Sequence, residues 1–336
     1  MTHYDDARPS SSKGTELNIQ QLVQIIVLAL LQGVTELFPV SSLGHTVILP
    51  GALGWTKTLD DPNFVPVLVM LHLGTATALL IFFWRDWLRL LQGGVRVVIA
   101  GKLTPDVDPG GFGRQLVLVV IGTIPAGIVG VIFQKLLESN FSVPILAAAF
   151  LVMNGAVLLA GELLWRNQRQ HAVALLGAKG YAGAAPSAEA VAAGVGKSLD
   201  DMTYLQAFLI GCAQIGALIP GFSRSGLTMV AGMANGLSHE AAARFSFLMA
   251  TPIILGAGVL EVPKLLAYKQ ELAAAAIGGV VAGVAAYLSV RFLMRYFETN
   301  RLDPFAYYCI ALGLLAFVYF ALTTLGVIPA IPTVTL

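Results

Sequence analysis

Charge is what this 336-residue chain has least of: Asp, Glu, Lys and Arg make up 12% of it, about half the roughly 25% of an ordinary soluble domain. With 57% hydrophobic residues, that shortage excludes a soluble enzyme or a disordered region and leaves a polytopic α-helical membrane protein. Neither sign of charge dominates. The 20 Lys and Arg against 19 Asp and Glu give a formal net charge of +1, so no global field points to nucleic acid or an acidic partner. Cysteine is also scarce: Cys212 and Cys309 lie in separate apolar runs without a CxxC spacing, which supports neither a disulfide framework nor a zinc site. GxxxxGK[ST], a strand followed by GxGxxG, and HExxH are all missing, so nucleotide hydrolysis and zinc proteolysis have no motif to rest on.

Long uncharged runs fill the space. Residues 64–83, 115–134, 143–161, 273–290 and 305–326 contain no Asp, Glu, Lys or Arg, and each is close to the roughly 20 residues that cross about 30 Å of hydrocarbon. A sixth span, 243–262, carries only Arg244 and Glu261 near its ends. Residues 85–100 mix Arg85, Asp86, Arg89 and Arg96 with Trp87, Leu88, Leu91 and Val95, the pattern of an interfacial amphipathic helix. Residues 1–18 read as a polar tail without the basic segment and cleavage site of a signal peptide. The basic residues around 101–114, the 166–203 loop, and Arg291, Arg295 and Arg301 fall on one side, the cytoplasmic one by the positive-inside bias. Lys264 and Lys269 are the exception.

Two apolar regions, 19–55 and 204–236, do not read as simple spans. Each has an apolar helix, a break containing Pro and Gly, and a second short apolar segment. Such a break leaves backbone groups unpaired in lipid unless protein encloses it, so each region is expected to be a re-entrant helix-turn-helix pair. At an offset of 182, Gln32, Ser41, Gly44 and Thr46 match Gln214, Ser223, Gly226 and Thr228. Three spans follow each copy, so the second enters from the opposite face, as in an inverted-topology repeat. The expected organisation is a first repeat over 19–165, a polar cytoplasmic loop over 166–203 and a second repeat over 204–336.

The two breaks also hold the reactive side chains. Gln32 and Glu36 share a helical face that runs into the turn carrying Ser41, Ser42 and His45. An ionisable Glu36 in an apolar stretch is costly unless it is paired, protonated or wet. Glu36 has a bland alternative, a carboxyl that caps or staples a helix end; alone, Ser42 reads as an N-cap and His45 as a hydrogen-bonded core residue; together at one break they favour function. In the second break, Gly221 and Gly226 permit close backbone approach, and a helix starting near Ser223 aims its positive end at an anion. Arg224 adds a planar, permanently charged fork for phosphate oxygens. Ser223, Ser225 and Thr228 supply hydroxyls. Brought together by an inverted repeat, this set suits phosphoryl transfer, which depends on positioning and charge stabilisation.

Read as [E/Q]xxxE with PVSSxGH (Gln32–Glu36, Pro39–His45) and PGxSRSxxT (Pro220–Thr228), the two stretches resemble the undecaprenyl-diphosphatase family, bacterial membrane phosphatases linked to bacitracin resistance. The resemblance covers nearly the whole chain except the tail and much of the 166–202 loop. It implies a multi-pass enzyme of the bacterial inner membrane that converts undecaprenyl diphosphate to the monophosphate and phosphate, recycling the lipid carrier for peptidoglycan and other envelope polymers. It also implies a divalent cation, Mg²⁺ or Ca²⁺. By motif position, Glu36 is the essential carboxylate, Ser42 the nucleophile, His45 its acid-base partner and Arg224 the diphosphate clamp. Ser41, Ser223, Ser225, Thr228, Gly221 and Gly226 form the diphosphate cradle, and Glu36 with Gln32 would hold the metal. Gln32 departs from the glutamate of many relatives, and a neutral amide is a weaker ligand than a carboxylate.

The topology points the site to the periplasmic side. The rival class is a polyprenyl-phosphate carrier, a flippase or an anion transporter, since inverted repeats with broken helices also build carriers. Gly278, Gly279 and Gly283 allow close helix packing within one chain or in a homodimer. His72 and Glu261 are intramembrane polar residues with no motif to explain them.

Overall fold

The computed structural model describes residues 19–55, 64–133, 143–178, 196–266 and 269–331; the 1–18 tail and the 179–195 part of the polar loop lie outside them. Among the described residues the chain is helical, with one isolated bridge between Lys197 and Leu237. The helices are α1 (Ile19–Thr35), α2 (Ser42–Ala52), α3 (Phe64–Phe82), α4 (Trp84–Ala100), α5 (Phe112–Ile132), α6 (Pro144–Ala178), α7 (Tyr204–Ala213), α8 (Arg224–Ala234), α9 (His239–Leu266), α10 (Lys269–Tyr296) and α11 (Asp303–Thr324). A 3₁₀ turn, Gln214–Leu218, extends α7.

Five of these, α5, α6, α9, α10 and α11, are long and apolar enough to cross a membrane. The remaining expected span, 64–83, is α3, which bends by 79° into α4. That bend follows from composition: the uncharged run ends where Arg85, Asp86 and Arg89 begin, and charges are stable only at the interface. One boundary differs from the sequence reading. Helix α6 continues to Ala178, so residues 166–178 of the segment read as a loop are helical; no Pro or Gly interrupts the chain there until Gly177.

Polar contacts gather one end of the bundle into a rim. Asp86 at the start of α4 meets Arg244 of α9 at 2.7 Å, Arg114 of α5 donates to the carbonyls of Asp200 and Met202, and Arg166 of α6 pairs with Asp303 of α11. Beneath this rim the fully buried Glu162 accepts hydrogen bonds from Arg166 Nε and from the Leu302 amide, both at 3.2 Å, and lies 2.8 Å from His239 Nε2. These partners offset the cost of burying a carboxylate.

The two short helix pairs enter from opposite ends. Helix α7 starts and α8 ends at the rim, where Gln206 Nε2 donates to the Asn235 carbonyl at 3.2 Å. At the far end, Gly51 of α2 lies against Pro144 and Phe320, and Ile25 of α1 packs with Val67 and Ala275. Lipid supplies no hydrophobic drive between helices, so their association relies on close backbone packing. Gly74 of α3 and Gly279 of α10 illustrate it: a Cβ on Gly74 would stand 1.9 Å from the Gly279 oxygen. Gly278 packs on Ile25 and Leu71, and Gly283 on Gly74, so the small residues of α10 are used within the chain.

Candidate active site

Both breaks are built by the same local device. Helix α2 starts after Ser41, whose Oγ accepts the Gly44 amide at 3.1 Å. Helix α8 starts after Ser223, whose Oγ accepts the Gly226 amide, also at 3.1 Å. Such N-caps satisfy donors that a helix start leaves orphaned. Ser41 has φ +68°, the one positive value at a non-glycine among the described residues, and this local strain is held by the surrounding structure. Gly221 has φ +108°, and a Cβ there would stand 2.4 Å from the Ala147 carbonyl oxygen, so only glycine fits.

The breaks meet each other directly. A Cβ on Gly44 would stand 3.0 Å from Gly221 Cα, and Ser225 Oγ donates to the Phe38 carbonyl at 3.1 Å. Asn154, fully buried on α6, bridges the two: Nδ2 donates to the Pro39 carbonyl at 3.1 Å and Oδ1 accepts the Ser223 amide at 2.9 Å. Backbone groups freed by the breaks are thus paired inside protein, the condition for irregular chain at membrane depth.

Glu36 is the centre of this junction. Its Oε1 accepts from Arg224 Nη2 at 2.6 Å. Its Oε2 accepts from Ser42 Oγ at 2.5 Å and from Gln32 Nε2 at 3.1 Å, and His72 Nε2 stands 3.3 Å from the same oxygen. Arg224 is held in turn by Nη1 donating to the Ser246 carbonyl at 3.1 Å. One buried carboxylate with several converging donors is a strongly polarised group: its charge is compensated, and it is in contact with a hydroxyl whose proton it can take.

Of the residues singled out from the sequence, the structure brings Gln32, Ser42 and Arg224 onto Glu36. His45 is directed elsewhere: Nδ1 lies 2.6 Å from the Ser41 carbonyl and Nε2 lies 2.9 Å from Tyr308 Oη. A carbonyl can only accept, so Nδ1 carries the hydrogen and Nε2 accepts from the tyrosine. Ser223 and Ser225 share a hydrogen bond at 3.0 Å. Thr228 Oγ1 lies 2.8 Å from both the Arg224 carbonyl and Ser246 Oγ. These hydroxyls serve the break and the second helix start. Gly226 lies against Pro39 and Leu158.

His72, Asn154, Ser246 and Tyr308 were not identified as site residues from sequence. For His72 a signal existed, an ionisable side chain inside an uncharged span, and Ser246 lies with Phe245, Phe247 and Leu248 in a stretch that also resembles the family; Asn154 and Tyr308 stand in apolar helices with no motif around them. As for a metal, no group of three or more His, Cys, Asp or Glu able to hold an ion occurs among the described residues. Gln32 Oε1, however, is buried with no hydrogen-bond partner, beside the Glu36 carboxylate. Two oxygen ligands of this kind fit an ion whose remaining positions come from substrate phosphate and water, the usual habit of Mg²⁺.

Residues 25–315 match the family model described as bacitracin resistance protein BacA. Among curated relatives, the undecaprenyl-diphosphatase of Granulibacter bethesdensis is 46% identical over 309 residues, covering 89% of this chain and 97% of its own. Undecaprenyl-diphosphatase 2 of Burkholderia lata is 46% identical over 299 residues, covering 89% and 96%. The undecaprenyl-diphosphatase of Acidiphilium cryptum is 44% identical over 302 residues, covering 87% and 96%.

Proposed function

The chain belongs to the bacitracin resistance protein BacA family, and from that premise we propose how its junction of two helix breaks acts on undecaprenyl diphosphate. The protein is a multi-pass membrane phosphatase that hydrolyses this lipid to undecaprenyl phosphate and phosphate, returning the carrier for envelope synthesis and conferring bacitracin resistance.

The observation that carries the mechanism is the 2.5 Å bond from Ser42 Oγ to Glu36 Oε2. Glu36 takes the Ser42 proton as Oγ attacks the terminal phosphorus, and the bridging P–O bond breaks to release undecaprenyl phosphate. The proton passes to that leaving phosphate. Water then attacks the phosphoserine, Glu36 accepts its proton and delivers it to Ser42 Oγ, and inorganic phosphate departs. Arg224 turns its fork to the equatorial oxygens, where charge accumulates. His45, held by Tyr308, keeps the start of α2 in place through the Ser41 carbonyl. When a divalent cation is present, Glu36 and Gln32 Oε1 would hold it, and it would neutralise phosphate charge.

The opposed entry of the two pairs and their matched serine caps support an inverted-topology repeat. The basic rim supports a cytoplasmic assignment for that end, and hence a site reached from the periplasmic side. For the isoprenoid tail, an apolar groove of about 620 Å³ runs between α3 and α10, lined by Met70, Leu73, Thr77, Ile81, Val280 and Val284.

Phosphate release from undecaprenyl diphosphate by the purified protein, with rapid-quench trapping of a phosphoserine, tests this reading. Release with label on Ser42 is expected. Full activity in Ser42→Ala would remove the covalent step, and lipid binding without any release would point to a carrier.

A further inference from the structure

His72 has no task in the mechanism above, yet it reaches the reacting carboxylate from α3, an element outside both motif stretches. Its Nδ1 lies 2.8 Å from the Leu68 carbonyl one turn back, so that nitrogen carries a hydrogen and the bond fixes the ring. Nε2 is then aimed in one direction, at the junction of the two breaks, 3.3 Å from Glu36 Oε2. Two features distinguish this contact from a merely structural one. His72 keeps 18% of its side chain exposed, against 8% for Glu36 and 13% for Arg224, so it is the most open of the three to an entering group. Its contact is also the longest on an oxygen that already receives Ser42 at 2.5 Å and Gln32 at 3.1 Å, so Glu36 loses least when it is surrendered.

Resting on the phosphatase reading, we infer that His72 is a further catalytic residue, a diphosphate contact that works opposite Arg224. In the free protein both ring nitrogens face acceptors, Nδ1 the Leu68 carbonyl and Nε2 the Glu36 carboxylate, so the ring donates from both as an imidazolium; when the diphosphate enters, the Nε2–H donor turns to a phosphoryl oxygen while Ser42 remains on Glu36. This assigns a role to a polar residue in a lipid-spanning helix, where an unused one is costly.

The test uses the full-length protein in detergent with His72→Leu and His72→Gln. Inorganic pyrophosphate affinity is measured by isothermal titration, and KM and kcat are measured with undecaprenyl diphosphate. His72→Leu is expected to weaken pyrophosphate binding and raise KM by roughly tenfold or more, the loss of one hydrogen bond to a charged group. His72→Gln keeps a neutral donor and falls between. A residue acting only through Glu36 would lower kcat and leave pyrophosphate affinity unchanged, which would overturn the assignment. Titration needs no turnover, so a wild-type protein that released no phosphate would sink the phosphatase reading while the affinity comparison still decided on His72. Should His72→Leu fail to fold, His72→Gln decides alone: weaker pyrophosphate binding than wild type supports the contact, and equal binding overturns it.

Discussion

Glu36 and Arg224 are 188 positions apart in the chain and meet at 2.6 Å. The pair joins the two helix breaks, so the contact that closes the fold at its centre is also the contact that sets up the chemistry. Each partner is mostly buried, and removing one leaves the other as an uncompensated charge in a low-dielectric interior.

A double-mutant cycle on this pair should therefore be strongly non-additive. Glu36→Ala and Arg224→Ala are each expected to lower kcat/KM by about 10² or more, and the double variant to be little worse than either, because both remove one working unit. Arg224→Lys keeps the charge but lacks the planar fork that grips Glu36 and the Ser246 carbonyl together, so it should recover only part of the rate. Steady-state kinetics on the wild type and the four variants checks this; additive losses would mean that the residues act independently.

Gly221→Ala combines a positive φ with a backbone clash against Ala147. It should destabilise the protein by about 1–3 kcal/mol or more, and lower its thermal midpoint in detergent. Gly256→Ala is the control, since a Cβ there meets nothing within 4 Å. Equal midpoints for the two variants would contradict the geometry of the second break.

Gln32→Glu adds a carboxylate where Gln32 Oε1 has no hydrogen-bond partner. Ligand charge tunes divalent-ion affinity, so the Mg²⁺ concentration for half-maximal activity should fall by roughly tenfold. A metal titration of both proteins reads this directly. No change would place the cation away from Gln32.

Val284→Trp fills the groove between α3 and α10 without touching Glu36. KM for undecaprenyl diphosphate should rise severalfold, while KM for the shorter farnesyl diphosphate changes little, because binding energy from a tail scales with buried CH₂ groups. Equal effects on both lipids would move the tail elsewhere.

Much of the scaffold was legible because lipid enforces simple rules. A helix that crosses hydrocarbon must be long and nearly uncharged, so the spans at α5, α6, α9, α10 and α11 stand out in the sequence, and the charges of Arg85, Asp86 and Arg89 mark where α3 must turn along the interface. The breaks were legible too, through Pro39, Pro220 and Gly221, as were Glu36 and Arg224, because a charge at membrane depth has to have a reason.

Local pattern did not reveal the partners. Gln32 and Glu36 share a helical face, and that much follows from a spacing of four. That Ser42 bonds to Glu36 while His45 bonds to Tyr308, 263 positions away, depends on how α2 is rotated against α11. That His72 joins Glu36, and that Asn154 ties Pro39 to Ser223, depends on where α3 and α6 pass the junction. By itself the sequence determined a membrane-embedded helical chain with two charged, interrupted segments. Only tertiary structure decided which side chains complete the site, because hydrogen bonds are made by atoms within about 3 Å, and the packing of distant helices alone sets those distances.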